Sequence, residues 1–262
     1  MKSKVACVIP AAGWGSVCPV RSTPKVLAEV ESELMICRII KSVIQADFAD
    51  SLIVVVGREQ PYGGLIREAL SGYTDLQLVT QPERRGAADA VACALPHLNG
   101  EEHVFVTFGD MPLWRPYTFR GLVRGHLQSA PSISMVTLRL QEGHRTERYG
   151  RIVRDGEGRI LAALEPFELD SVDLIGAQFV NPSLYVFERE WLVRNLPLIP
   201  PTDKGDGFSP ELHLPKLLPI AHAEGVEILE LPLEDPSEAL GVNTPDELIE
   251  VQAALRTRNG NG

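Results

Sequence analysis

The first 110 residues alternate short, largely apolar runs with helix-forming stretches, and this alternation confines the chain to a narrow set of folds. Val5–Ile9, Leu52–Val56, Leu76–Thr80 and Val104–Phe108 are short, β-rich and mostly apolar, as strands of a parallel sheet should be. Between them Met35, Ile36, Ile39, Ile40, Val43 and Ile44 recur at helical spacing, and Ala87–Leu95 is small and helix-prone. This β-α-β-α order predicts an α/β domain built on a doubly wound, mostly parallel sheet. With 262 residues, 44% of them hydrophobic and 23% charged, the chain is long enough to bury one large core.

From about Ser132 the pattern changes to longer β runs, Ser132–Leu140, Gly150–Val153, Arg159–Leu164 and Ala177–Phe187, with a hairpin turn at Asp155-Gly156-Glu157-Gly158. These predict an antiparallel, lid-like β insertion over about 132–187 within a single domain of residues 1–256. Weaker helical signals at Glu211–Ala223 are interrupted by Pro215 and Pro219. Pro245–Leu255 predicts a final helix, with Thr244 as N-cap, Pro245 at its first position and Glu247 as reciprocal capping partner. Residues 257–262 are expected to form a flexible tail.

The net charge of −10 argues against a general nucleic-acid or anionic-membrane surface, since both need clustered cations to displace counterions. A small anionic ligand needs only a few local cations and oriented N–H groups. Cys7, Cys18, Cys37 and Cys93 lack C-x-x-C spacing and are expected to be reduced and structural. Met1-Lys2-Ser3-Lys4 leads directly into a strand, with no apolar leader and no run of membrane-spanning length, so a cytoplasmic location is expected.

Open parallel sheets bind ligands beyond the carboxyl ends of their strands. The unusual residues fall there. Ala11-Ala12-Gly13-Trp14-Gly15 follows the first strand, Gly57 the second, Gln81 the third and Gly109-Asp110 the fourth. A strand ending in bare backbone N–H groups can cradle phosphate oxygens. Asp110 is followed by Met111-Pro112-Leu113, too apolar for an ordinary solvated turn, which marks it as a site residue.

Five separated segments, Ala11-Ala12-Gly13-x-Gly15 with Pro24-Lys25, Gln81-x4-Gly86, Gly109-Asp110, Tyr149-Gly150-Arg151-Ile152 and Gly241-Val242-Asn243, occur in the order found in sugar-1-phosphate nucleotidyltransferases. The chain most resembles the pyrophosphorylase domain of N-acetylglucosamine-1-phosphate uridylyltransferase, from Val5 to about Leu255. The resemblance implies a Rossmann-like fold of the nucleotide-diphospho-sugar transferase type. It implies a nucleoside triphosphate, UTP before others, and a sugar 1-phosphate as partners, joined to give a nucleotide-sugar and pyrophosphate. Ala11, Ala12, Gly13 and Gly15 would wrap the triphosphate and Lys25 contact it, while Asp110 and Asn243 would hold Mg2+. Gln81 and Gly86 would meet the base, and Gly150, Glu165 and Asn181 the sugar. Since Gln81-Pro82-x-x-x-Gly86-x-Ala88 also resembles the pattern of thymidylyltransferases, uridine and thymidine both stay open, with a cytidylyltransferase branch as a further alternative. No counterpart of the β-helical acetyltransferase domain of the bifunctional members is expected, and neither is acetyl transfer.

The family's loop continues Gly-x-Gly-Thr-Arg-Met, whereas this chain has Gly15-Ser16-Val17-Cys18. Val17 carries no charge where an arginine neutralises the triphosphate, so Arg21, or Arg84 or Arg85, is the expected replacement. The same departure admits a catalytically weak or inactive nucleotide-sugar binding protein. The run Gly109-Asp110-Met111-Pro112 also suggests a molybdenum-cofactor or alditol-phosphate branch, against which the Tyr149–Ile152 and Gly241–Asn243 segments speak.

Overall fold

The structure is a computed structural model that describes residues 3–13, 23–58, 62–140, 149–165, 168, 177–203 and 210–260. Twelve strands and seven α-helices are found among them. The chain begins with β1 (Val5–Pro10), a small antiparallel pair β2 (Glu29–Val30) and β3 (Glu33–Leu34), α1 (Met35–Ala46), β4 (Ser51–Val56) and α2 (Gly64–Ala69). It continues through β5 (Leu76–Thr80), α3 (Ala87–Ala94), β6 (His103–Val106), α4 (Pro116–Ser129), β7 (Ile133–Arg139), β8 (Gly150–Arg154) and β9 (Ile160–Leu164). The last elements are β10 (Phe179–Asn181), β11 (Tyr185–Glu188), α5 (Arg189–Asn195), α6 (Leu217–Ala223), β12 (Ile228–Leu233) and α7 (Pro245–Gly260).

Strands β5, β4, β1 and β6 lie side by side and parallel, each pair in register over four or five residues. The apolarity of β1 and β4 follows from the two-residue period of a strand, which sends alternate side chains to opposite faces, whereas β5 at the edge leaves Gln77 and Thr80 exposed. Val5, Cys7 and Ile9 of β1, with Leu52, Val54 and Val56 of β4, meet the apolar stripe of α1 and the helix α4. Ala6, Val8, Ile53 and Val55 point the other way, onto α3, α5 and α6. Both faces of the sheet are therefore buried under helices, and the doubly wound α/β fold expected from the sequence is the one observed. Helix α1 buries Met35, Ile36, Ile39, Ile40, Val43 and Ala46 and ends at Asp47 in the left-handed conformation.

The antiparallel strands extend this sheet rather than forming a separate layer. Strand β11 inserts antiparallel between β6 and β7. Strand β12 runs parallel to β7 along Ile133–Leu138, which fills one edge of β7. Strands β11 and β10 share its other edge end to end, β11 at Ile133–Met135 and β10 at Leu138–Arg139. Beyond β10 the order continues to β8 and β9. The sheet thus forks at Pro182–Leu184, one branch going to β6 and the other to β8. The run expected as one strand over Ala177–Phe187 is broken here, because proline cannot donate to the ladder and Ser183 takes a left-handed backbone at φ 59°.

Three further boundaries differ from expectation. The fourth strand stops at Val106, which leaves Phe108-Gly109-Asp110 in a turn. Glu211–Ala223 supplies a 3-10 turn at Leu214–Lys216 and only then α6, as the two prolines require. Helix α7 runs through Gly260 instead of giving way to a tail at 257. Arg258 fastens it by donating to Leu113 O at 2.9 Å and Ser237 Oγ at 2.7 Å. Cys7, Cys37 and Cys93 are free thiols, and burial pushes the Cys7 thiol far up. Among the described residues no helix is long and apolar enough to cross a membrane.

Candidate active site

Lys25 opens a 3-10 turn, Lys25–Leu27, whose Val26 is anchored in the core beside α1. Asp110 stands on the turn after β6, held by the Gly109 N to Pro10 O bond at 3.3 Å and by Val242 N donating to Asp110 O at 2.9 Å. Gly109 lets the turn pack closely on the core, since a β-carbon would lie 2.9 Å from Ile36 Cδ1 and 3.2 Å from Val26 Cγ1 and those side chains would have to shift. Asn243 precedes α7, and the expected capping box is present: Glu247 Oε2 accepts from Asn243 N at 2.5 Å and Thr244 N at 3.1 Å, while Glu247 N donates to Thr244 Oγ1 at 3.3 Å. With its backbone occupied in the cap, Asn243 keeps its side chain for the cleft.

These three residues, more than 80 positions apart in sequence, converge. The Lys25 ammonium pairs with Asp110 Oδ2 and donates to Asn243 Oδ1 at 2.7 Å. Two hard oxygen donors from different loops are therefore already arranged around one cation. That donor set suits Mg2+, although no group of three or more His, Cys, Asp or Glu that could hold a metal ion occurs among the described residues.

A cleft of about 310 Å³ on one side of the triad is lined by Ala11, Ala12, Gly13, Lys25, Gln81, Gly86 and Asp110, among others. Ala11 N donates to Val55 O at 2.7 Å, fixing the start of the loop, and a β-carbon on Gly13 would lie 3.9 Å from Lys25 Cε. Gln81 is 3% exposed, and its Nε2 donates to Gly86 O at 3.0 Å and Asp89 Oδ2 at 2.8 Å. Gly86 has a cause beyond the one expected. Its φ is +92°, and a β-carbon would lie 2.5 Å from Leu212 O and 2.7 Å from Leu212 N. The close approach is to the chain's own backbone, which is zipped on by Leu212 N to Arg85 O and Ala88 N to Leu212 O.

On the other side a cleft of about 210 Å³ opens at the fork of the sheet, lined by Asp110, Met111, Tyr149, Asn181, Ser183 and Asn243, among others. Gly150, Glu165 and Asn181 come together beside it. Gly150 is the register partner of Asn181, and a β-carbon on it would lie 3.2 Å from Leu164 O and 3.6 Å from Glu165 Oε1. Asn181 Oδ1 accepts from Ser183 N at 3.0 Å. Its Nδ2, though buried, has no acceptor in good geometry, even with the Tyr185 hydroxyl nearby. Burial pushes the Tyr185 phenol well above its ordinary value. Tyr149 Oη donates to Ala239 O at 2.6 Å, tying the start of β8 to the segment that carries Asn243. Glu165 N donates to Glu168 Oε2 at 2.9 Å. Burial would raise the Glu168 carboxyl, but the Lys216 ammonium, the Glu165 N–H and the nearby His213 together outweigh it and hold the group below its ordinary value.

Gly15, Val17 and Arg21 lie outside the described residues. Arg58 and Tyr62 line a pocket beside Ala11–Gly13 together with Arg84, and Glu211 lines the larger cleft. Asp89, on the first turn of α3, holds the Gln81 amide. None of these except Arg84 was marked by the sequence, where Asp89 reads as one polar residue in an alanine-rich helix.

Residues 7–178 match the family model of the MobA-like NTP transferase domain. Bifunctional protein GlmU of Gloeobacter violaceus is 30% identical over 262 residues, covering 98% of this chain and 53% of that protein. The chain spans about half the length of the relatives of this name that it matches. Among solved structures, a candidate glucose-1-phosphate thymidylyltransferase from Bacillus anthracis superimposes with a TM-score of 0.73 at 18% identity, covering 96% of this chain and 95% of that one. CMP:2-keto-3-deoxy-manno-octonic acid synthetase complexed with CTP does so at 0.67 and 16% identity, covering 98% of this chain and all of that one. Likeness at such identities concerns the fold. The relatives bear out the resemblance drawn from the motifs, and the chain belongs to the MobA-like NTP transferase domain family.

Proposed function

We propose that the protein joins a nucleoside triphosphate, UTP before others, to a sugar 1-phosphate such as N-acetylglucosamine 1-phosphate. The observation that carries this reading is the position of Lys25, Asp110 and Asn243 between two clefts, one bounded by the phosphate loop and the other by the sheet fork. A sugar-phosphate oxygen bonds to the α-phosphorus, the bond from that phosphorus to the bridging oxygen breaks, and pyrophosphate carries away the electron pair. No covalent nucleophile is needed; positioning and charge neutralisation do the chemistry.

In this reading Ala11, Ala12 and Gly13 receive the triphosphate, with Gly15 completing the loop, and Lys25 turns its ammonium to phosphate oxygens. Gln81 and Gly86 border the base, and Gly150, Glu165 and Asn181 orient the sugar. Asp110 and Asn243 are the residues that would hold Mg2+, which when bound supplies positive charge against the phosphates. Arg21 is proposed as the cation that stands in for the loop arginine absent at Val17.

The test is pyrophosphate release with Mg2+ from UTP, dTTP, CTP, ATP and GTP, each against a panel of sugar 1-phosphates. Release with UTP is expected, and it should fall by orders of magnitude in Asp110→Ala. One observation favours a second reading, of binding without turnover: Val17 at the arginine position. Tight UTP binding with no release from any pair would select that second reading over the first.

A further inference from the structure

The orientation of a glutamine amide in a cleft is fixed by what its two ends meet. Both acceptors around Gln81, Gly86 O and Asp89 Oδ2, stand within hydrogen-bonding distance of the same terminal atom. Neither can donate: one is a peptide carbonyl and the other a carboxylate. Turning the amide over would set Gln81 Oε1 against two oxygens and forfeit two hydrogen bonds, so the NH2 end must face them. Gln81 N is also tied, donating to Val56 O at 2.8 Å, and the residue is 3% exposed, which leaves little room for another rotamer. Oε1 accepts no hydrogen bond from the described residues and is not among their buried, unpartnered atoms. Gln81 lines both the larger cleft and the pocket beside Ala11–Gly13.

We infer that Asp89 is a positioning residue that holds the Gln81 amide with its oxygen toward the nucleotide, so that the cleft selects a base carrying an N–H at pyrimidine position 3, uracil or thymine, over cytosine. This rests on the reading of the cleft as a nucleotide site. Uracil and thymine present a donor at N3, which Oε1 accepts. Cytosine presents a lone pair at N3, and two acceptors facing each other in a desolvated pocket repel while both stay unsatisfied. Gly86 O alone does not hold the amide as firmly, because Gly86 O also accepts from Ala90 N at 3.2 Å. The Asp89 carboxylate supplies the charge-assisted bond of the pair.

The test measures UTP and CTP binding by calorimetry in the intact protein, with Asp89→Leu and Asp89→Asn beside the wild type. The wild type should bind UTP about ten- to a hundredfold more tightly than CTP. Asp89→Leu should bring the two within about threefold, because the amide is free to turn over. Asp89→Asn, which keeps an acceptor oxygen, should retain the preference. A purely structural role for Asp89 would weaken both nucleotides alike and leave the ratio untouched, which would overturn the inference, as would a wild type that binds both equally. Failure of the wild type to bind any nucleoside triphosphate would instead overturn the nucleotide reading beneath it. Should Asp89→Leu not fold, 3-methyl-UTP against UTP on the wild type asks the same question, since the methyl removes the donor: a loss of about tenfold or more is expected, and equal binding refutes.

Discussion

Replacing Gly86 by alanine tests the packing that holds the Gln81 side of the cleft. The backbone there is φ +92°, ψ 178°, a region essentially reserved for glycine, where a side chain costs roughly 1–3 kcal/mol. The new β-carbon would also stand 2.5 Å from Leu212 O and 2.7 Å from Leu212 N. These are backbone atoms that cannot swing aside, so the 211–212 segment must move and the bonds from Leu212 N to Arg85 O and from Ala88 N to Leu212 O must stretch or break. At about 1 kcal/mol each, their loss brings the expected destabilisation to about 3–5 kcal/mol. Gly158→Ala isolates the conformational part. Gly158 has φ +81° but nothing within 4 Å of its would-be β-carbon, so about 1–2 kcal/mol is expected. Urea unfolding followed by circular dichroism, with unchanged slopes, measures both. Equal losses in the two variants would show that Leu212 does not confine Gly86, and the account of this glycine would fail.

The buried His126 donates or accepts between His103 Nδ1 at 3.0 Å and Ser134 Oγ at 2.7 Å, and burial followed by the neighbouring His103 pushes it down to about 3. Between its ordinary value near 6.5 and about 3 the unfolded chain takes up a proton that the folded chain refuses, so stability falls as pH drops through that window. His126→Gln should flatten the slope of urea stability against pH there by up to about 1.4 kcal/mol per unit, and an unchanged slope would refute the assignment. Asn181→Ala should raise the KM for the sugar 1-phosphate about tenfold or more while costing only about 1 kcal/mol of stability, the worth of the Ser183 N bond; an unaltered KM would remove Asn181 from the sugar side. Lys25→Met vacates the position between Asp110 Oδ2 and Asn243 Oδ1, so added Mg2+ should raise the melting temperature more in this variant than in the wild type. Equal rises would show that ammonium and metal do not share the position.

Much of the parallel half was legible because its signals are local. A wholly apolar strand, a helix with Met35, Ile36, Ile39, Ile40 and Val43 on one face, and glycine or aspartate at a strand end each declare themselves within a dozen residues. The capping box at Thr244 and Glu247 was equally plain. What escaped depends on partners far away in the chain. Strand β12 carries Glu230 and Pro232 and shows no clean alternation; it forms because it is an edge strand against β7, where a missing N–H is harmless, and because Glu230 meets Arg154 in a two-pronged pair at 2.7 Å. The polar sequence at Arg256–Asn259 looks frayed until Leu113 and Ser237 are seen beneath Arg258. The fork at Pro182 cannot be read from the proline alone, since it needs β6, β7 and β8 to be in place before the two branches exist.

The fork also explains why the two clefts share one charged group. Strand β11 brings Tyr185 opposite Val106 at the carboxyl end of β6, so the residues just before it, Asn181–Ser183, sit immediately beyond the strand end that launches Asp110. Strand β1 on the other side of β6 ends in Ala11–Gly13. Asp110 is therefore flanked by the loop after β1 on one side and the sheet fork on the other, and the loop before α7 closes over it through Val242 and Asn243. In a chain of net charge −10, a carboxylate in such a place would repel two phosphates. Lys25 answers that charge directly, and the Asn243 oxygen gives the ammonium a second acceptor without adding another negative charge. An aspartate at position 243 would bind a cation more strongly but would leave the junction of the clefts one charge more hostile to anions, which is a physical reason for a neutral oxygen donor in that position.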